Sequence, residues 1–516
     1  MIMVNATAAA QYRVLAASNE DVLRLEDGLP VQMLQDEGEM RYFSIDVREK
    51  GLDLTISVDP FFGDPDMYVS LYEYPENMTY HVLPSKKNFT WQAVSFGSDV
   101  LQMQGDVLSE HCIPDVEANK SCTYAIGVLA GSNCSYSIQA SLNSGWKHPK
   151  QLLLGKPQSS FLEHEKFDYY ALLITKAPEE DPWETVVITV TPTDGGRQDV
   201  YVTTSQTREP GPTDYDVKGE NWAGALTLMF SETAPGFCSD CTIYVGVFGY
   251  KEGAYSIVAS QGLTNLQEGI PAQGTVGGGG AAGQFYEFYY PPGEEESLQV
   301  VVTALTGDPD LYVTVGGNSM PGPHNFHWVG GETGSDFVVI LPTDPHFCQD
   351  CAYQMGVTSV SNSSYTISTF RGDYGPTLLV QDRPQAGHVP AGGMRYFVVI
   401  PRADLGIRRL TVSLTTLSGQ ADLYMTRAMN LTAIDPMDDS TFSWTSKGST
   451  VDKIVVEGEA SSFDDAYVIG VFGVMEASFS VVAFFSRGIL LLQAGVPQKH
   501  ALRNREQMAF GFLVDQ

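Results

Sequence analysis

The feature that most limits what this chain can fold into is a recurring turn that leads straight into a strand. Gly307-Asp308-Pro309-Asp310-Leu311-Tyr312-Val313 has relatives at Gly63-Asp64-Pro65-Asp66-Met67-Tyr68-Val69, Gln198-Asp199-Val200-Tyr201-Val202 and Gly419-Gln420-Ala421-Asp422-Leu423-Tyr424. Gly and Pro punctuate the chain, the Asp side chain can accept backbone N–H bonds, and the apolar alternation that follows fits a half-buried strand. Asp66, Asp199, Asp310 and Asp422 are therefore read as structural turn residues. A second marker sets the period, because Pro30, Pro157, Pro271, Pro384 and Pro497 stand 127, 114, 113 and 113 residues apart. Spacing this regular indicates a tandem array of modules, each with its own core.

Each module carries the same order of strand signals. An aromatic strand comes first, at Arg41-Tyr42-Phe43, Asp168-Tyr169-Tyr170, Phe285-Tyr286-Glu287-Phe288 and Arg395-Tyr396-Phe397. Alternating runs such as Leu52, Leu54, Ile56 and Val58 then lead to the Asp turn. Trp91, Trp328 and Trp444 follow and are expected to fill cores, whereas repeat 2 has Val217 in register and Trp222 a few residues later. Tyr-x-x-Gly-Val recurs at Tyr124, Tyr353 and Tyr467, and one residue shorter at Tyr244. Closing strands lie at Tyr136, Tyr255, Tyr365 and Phe479. No stretch has a helical period, so the unit is an all-β sandwich and helix should be scarce.

The expected layout is a closing strand of a preceding repeat in residues 1–22 and four sandwiches of about 113 residues at 23–147, 148–261, 262–374 and 375–486, with an opening segment of a fifth at 487–516. The partial repeats rest on Gln11-Tyr12-Arg13-Val14, which matches a closing strand, and on Met508-Ala509-Phe510-Gly511-Phe512-Leu513, which matches an opening one. The first residues do not read as a secretory signal, so either the protein is not exported or its true beginning lies elsewhere, and the partial repeats imply an excerpt of a longer array or ends held by neighbouring chains.

A net charge of −32, from 62 acidic and 30 basic residues, would repel phosphate backbones and makes nucleic acid a poor partner. The blander role of this charge is to keep a long array soluble. The longest apolar runs, Tyr467–Met475 and Ile489–Val496, fall short of the roughly 18 to 20 residues a spanning helix needs. Seven Asn-x-Ser/Thr sequons, at Asn5, Asn77, Asn88, Asn119, Asn133, Asn362 and Asn430, point to N-linked glycans and an extracellular or cell-surface location. Asn133 and Asn362 hold the same place three residues before the closing-strand Tyr.

Cys238-Ser239-Asp240-Cys241 and Cys348-Gln349-Asp350-Cys351 precede the Tyr-x-x-Gly-Val strand, and Cys112 with Cys122 flanks the same place. A zinc site needs about four ligands, and these pairs belong to different modules. A redox pair would open a helix, whereas these open a strand. Structural disulfides are the expected use, which leaves Cys134 free, buried or joined to another chain.

No motif carries catalysis. Gly278 to Gly283 satisfies Gly-x-Gly-x-x-Gly but enters a strand, not a helix, and reads as a spacer. His-Glu-x-x-His, Gly-x-Ser-x-Gly and Walker sequences are absent, and the nine His are scattered. Carboxylate pairs such as Asp438 and Asp439 or Asp464 and Asp465 fall in expected loops. The chain is not expected to be an enzyme, and no cofactor is expected.

The order of aromatic strand, Asp-Pro-Asp-Leu-Tyr-Val, Trp region, Cys pair, Tyr-x-x-Gly-Val-x-Gly and Tyr-Ser-Ile resembles the bacterial pre-peptidase C-terminal domain family and its eukaryotic extracellular look-alikes, over all four full repeats. The resemblance implies jelly-roll or Ig-like sandwiches serving as non-catalytic accessory or repeated modules. Repeat 2 lacks the Gly-Asp-Pro turn and repeat 4 lacks the cysteines. In some collagenases such domains bind calcium through acidic residues before the first strand. Only Asp36, Glu37 and Glu39, or Glu163 and Glu165, offer that here, with Gly392-Gly393 and Gly283-Gln284 in the other repeats.

The leading expectation is a structural protein that forms a filament or surface appendage by end-to-end self-assembly. Repeats touching mainly their neighbours would make a quasi-one-dimensional rod. The alternative is a set of carbohydrate- or protein-binding repeats of a larger secreted hydrolase. The sequons are expected to be filled, so the intact mass of natural material should fall on enzymatic deglycosylation. An unchanged mass would remove the main argument for the secretory route.

Overall fold

A computed structural model describes residues 22–72, 83–115, 117, 120–143, 145–174, 186–193, 196–219, 226–230, 236–238, 241–277, 283–293, 295–316, 320–372, 375–401, 409–427, 441–448, 451–458, 466–485, 489–492, 507 and 509–512. In repeat 1 the strands are β1 (Val22–Arg24), β2 (Val31–Gln35), β3 (Met40–Val47), β4 (Leu54–Phe62), β5 (Pro65–Leu71), β6 (Trp91–Ala93), β7 (Asp99–Met103), β8 (Cys122–Ala130) and β9 (Cys134–Ser141). They form two facing sheets, β1-β3-β8-β5-β6 and β2-β9-β4-β7. All pairs are antiparallel except β1 with β3. The one helix among the described residues, α1 (Gly105–His111), lies in the long insert before Cys122.

Repeats 2 and 3 reproduce this order. Phe167–Ile174, Cys241–Lys251 and Arg197–Thr203 form the middle of one sheet in repeat 2, and Gln158–Leu162, Gly253–Ser260 and Val186–Pro192 run side by side in the other. Pro65 and Pro309 head their strands, where a missing N–H does no harm. Repeat 4 has Gly419-Gln420-Ala421 at this place. There the ladder runs on, although repeat 2 also lacks the proline and keeps two sheets, and Arg409–Arg427 and Tyr467–Phe485 become 19-residue strands. They pair throughout, with irregularities around Ser418 and Gln420, and so join the two sheets into one of seven strands. Beyond them Ile489–Leu492 pairs in parallel with Ala509–Phe512, repeating the β1 and β3 arrangement. The segment around Tyr12, the turn at Gly278–Ala282, the acidic pairs Asp438, Asp439 and Asp464, Asp465, and Trp222 lie outside the described residues.

Each repeat buries its own core, bounded by the closing strand. Trp91, Trp328 and Trp444 pack against these cores while remaining part-exposed. Tyr124, Tyr353 and Tyr467 are fully buried. Tyr244 is not, because alignment on Gly246 puts Ile243 in the buried slot and the one-residue shortening turns Tyr244 to the opposite face. Buried tyrosine hydroxyls on the closing strand find partners on the opening strands. Tyr136 donates to Gln35 Oε1 at 2.8 Å and Tyr255 to Asp168 Oδ2 at 2.7 Å. Asp168 is itself paired with buried Lys150 at 2.9 Å, so neither charge is left uncompensated.

The repeats are coupled through one residue that stands two before each recurrent proline. Gly28, Gly155 and Gly269 have φ of 69°, 73° and 72°. Their N–H groups donate to Ala140, Ala259 and Thr369 on the closing strand at 2.8, 2.7 and 2.8 Å. Their carbonyls accept from Gln151, Asn265 and Leu378 at the head of the next repeat, at 2.7, 2.8 and 2.7 Å. A Cβ at Gly269 would stand 2.4 Å from the Pro376 oxygen, so the left-handed backbone and the close approach both call for glycine. Asp382 takes this place in repeat 4 and keeps the positive φ, at 62°.

This linkage winds the array, and the straight rod expected from neighbour-only contacts is not what forms. Repeat 1 reaches repeat 3, where Glu268 N–H donates to Phe61 O at 3.1 Å and the Phe62 and Tyr289 rings lie 6.2 Å apart. It also reaches repeat 4. Phe96 packs against a cluster that includes Met394, Tyr396, Tyr424 and Phe442. The equivalent aromatics Phe89 and Phe326 are 39% and 42% exposed, whereas Phe442 is only 7% exposed. Backbone bonds from each glycine turn to the head of the next module fix the rotation per module, and the rotation brings a fourth module back onto the first. Gly269→Ala is expected to destabilise the junction by more than the about 1–3 kcal/mol of left-handed strain alone. Gly38→Ala, with φ of 77° and nothing within 4 Å, should show that strain alone. Chemical denaturation of the two variants measures the difference.

Candidate functional site

The Asp turns stand beside buried carboxylates that sequence reading passed over. Asp99, Asp336 and Asp452 each lie eight residues after the Trp of their repeat, a spacing visible in the sequence. Asp99 accepts from Met67 N–H at 3.2 Å and Ser95 N–H at 2.8 Å, and Asp336 from Leu311 N–H at 3.1 Å and Glu332 N–H at 2.9 Å. The strand after the turn is therefore held by these residues. Within the turn, Asp64 accepts from Gly97 N–H at 3.4 Å and Asp308 from Gly334 N–H at 2.6 Å. In repeat 4 Asp422 makes the corresponding bond, from Gly448 N–H at 3.0 Å. Asp66 and Asp310 lie at part-buried strand positions, and Asp199 sits by Arg197 at 3.4 Å.

Packing so many carboxylates under little water shifts their titration. Burial, then the charge of Asp66, pushes Asp64 up to about 7. Burial also pushes Asp336 up to about 7 against the pull of its two N–H donors, and Asp382 up to about 6. Among the described residues no three His, Cys, Asp or Glu side chains converge as a metal-holding group. Asp36, Glu37 and Glu165 are exposed and Glu39 and Glu163 part-buried. Glu39 lies 3.7 Å from Arg41, and Glu163 accepts from Gln104 Nε2 at 2.6 Å.

Cys112 bonds to Cys122, Cys238 to Cys241 and Cys348 to Cys351. Each bridge fastens a loop to the first residue of the Tyr-x-x-Gly-Val strand. Cys134 is free and buried, and burial pushes its thiol up to about 12. Asn88, Asn133 and Asn362 are exposed, while Asn5, Asn77, Asn119 and Asn430 lie outside the described residues. The turn glycines explain how the Asn133 and Asn362 loops are placed, since a Cβ at Gly63 would meet Asn133 O at 2.4 Å and one at Gly307 would meet Asn362 O at 2.5 Å.

The winding also encloses space. A cavity of about 660 Å³ receives side chains from all four repeats, among them Trp91, Phe161, Ile270, Leu378 and Ile400. Among the described residues Glu163 is the one charged residue on its wall. No sequence signal could have located it, because its walls come from residues as much as 300 positions apart.

No protein-family model matches the chain, and no curated protein matches it. Among solved structures, it is similar over 21% of its length to a pre-peptidase C-terminal domain of a collagenase from Bacillus anthracis. That match has 15% identity, a TM-score of 0.16 and 92% coverage of the other chain. No helix among the described residues is long and apolar enough to cross a membrane.

Carboxylates whose titration is raised by folding stabilise the fold while protonated, and that contribution is lost as pH rises through their folded values. For Asp64, Asp336 and Asp382 the window runs from about 4 to about 7. The melting temperature is expected to rise as pH falls from 8 to 5, and Asp64→Asn should reduce that rise. A melting temperature independent of pH over this range would contradict the assignment.

Proposed function

We propose that this protein is a non-catalytic, glycosylated extracellular structural protein whose tandem sandwiches build a filament or surface appendage. The observation that carries the reading is the junction, made with the same two backbone bonds at Gly28, Gly155 and Gly269. An interface that each module both offers and accepts can propagate without limit, as heterologous contacts do. The three disulfides suit an oxidising compartment, and the exposed sequons at Asn88, Asn133 and Asn362 suit a glycosylated surface. In the parallel pair Ile489–Leu492 and Ala509–Phe512, the second strand takes the place of β3, whose free side β8 covers in repeat 1. A strand of Tyr-x-x-Gly-Val type, from the continuing chain or another subunit, would complete it by β-augmentation.

The second reading is a set of binding repeats in a larger secreted hydrolase, and the cavity between repeats favours it. Electron microscopy of natural material separates the two. The filament reading predicts helical fibres whose axial repeat is a whole number of modules of about 113 residues. Separate monomers at all concentrations would overturn it.

A further inference from the structure

The cavity has a wall that is a strand edge, and this goes beyond the structural role. Val100, Leu101, Gln102, Met103 and Gln104 line it consecutively. A strand that presented only one face would contribute alternate residues, so β7 lies along the cavity with its edge toward it. Among the described residues β7 pairs with β4 alone, through Leu54 with Met103 to Val58 with Asp99. Alternate N–H and C=O groups of β7 therefore point away from β4 and into the space. The facing wall is the outer face of the repeat 2 sheet, where Ser159 pairs with Ser256 and Phe161 with Ala254. Three of these four side chains are small, which holds the wall back from β7.

We propose that this cavity binds an extended peptide, which adds as a strand to the free edge of β7. A row of backbone donors and acceptors at strand spacing is matched by another peptide backbone, and an oligosaccharide or an apolar small molecule has no such row. The ends of the cavity set the side-chain preference. Trp91, Phe96 and Ile270 receive alternate apolar side chains, and Glu163 faces the space with no Lys, Arg or His beside it on the wall. With a net charge of −32 over the whole chain, the favoured peptide is neutral to basic and carries one Lys or Arg near Glu163. The volume of about 660 Å³ falls within the range of preformed ligand sites, about 300–1,000 Å³.

The test uses the intact chain and capped six-residue peptides of alternating Val and Ser, with or without a terminal Lys, titrated to about 1 mM. Hydrogen exchange read by mass spectrometry should show those amides of Val100 to Gln104 that point away from β4 unprotected in the free protein and roughly tenfold slower with peptide. Ala254→Trp, which fills the space from the opposite wall, should weaken binding about tenfold. Should that variant misfold, Glu163→Gln should weaken the Lys-bearing peptide several-fold and leave the neutral one unchanged. The proposal is overturned by any of four results: the amides that point away from β4 already protected in the free protein, no protection by either peptide, protection elsewhere only, or equal protection by an oligosaccharide.

Discussion

The arrangement of this molecule depends on a single backbone conformation that recurs at each junction. A left-handed residue two before a proline turns the chain so that its N–H meets the closing strand of its own module and its C=O meets the head of the next module. Proline and glycine together fix the turn, so the angle between modules is set by backbone hydrogen bonds to a rigid turn. Inter-domain contacts within a chain are usually mobile. Here one turn bonds to two modules at once, which is why a residue such as Phe96 can find an aromatic seat three modules away.

Within a module the notable economy is in polar satisfaction. Each sandwich buries tyrosines whose hydroxyls must be paired, and it buries carboxylates whose oxygens must accept hydrogen bonds. In repeat 2 one bond, from Tyr255 to Asp168, meets both needs, and elsewhere they are met separately. Tyrosines of the closing strand bond to Gln35, Asp168 and Gln284, while the Asp after the Trp bonds to the backbone of the turn strand. The acidic groups remain costly to ionise, so the same bonds that define the turn make the fold sensitive to pH.

Much of this was legible because strand periodicity and turn residues are local signals. The all-β class, the recurrence of strands and the cysteine pairs follow from nearest neighbours in sequence. The roles inside the turn were less legible: Asp66 and Asp310 catch the eye through their motif, yet Asp99 and Asp336 hold the strand from the start of another strand, roughly 30 residues away. The Tyr244 slip shows the same limit, since a single deleted residue leaves the motif recognisable and reverses its face. Winding was the least legible. The glycines at 28, 155 and 269 were in view beside the prolines, but their bonding partners lie in the following module, and no periodicity reports a rotation between bodies.

Cys134 gives the buried glycine turn a meaning for folding as well as for form. An unpaired thiol in a chain that forms three disulfides is a competitor for Cys112 and Cys122 while repeat 1 is unfolded. Its protection comes from Gly63, whose missing side chain lets the turn close directly over it. The order of events therefore matters: if the closing strand docks before oxidation, the odd thiol is withdrawn and the correct pair remains. The same shielding turns Cys134 into an internal clock, because the rate at which a thiol reagent reaches it reports how often repeat 1 opens.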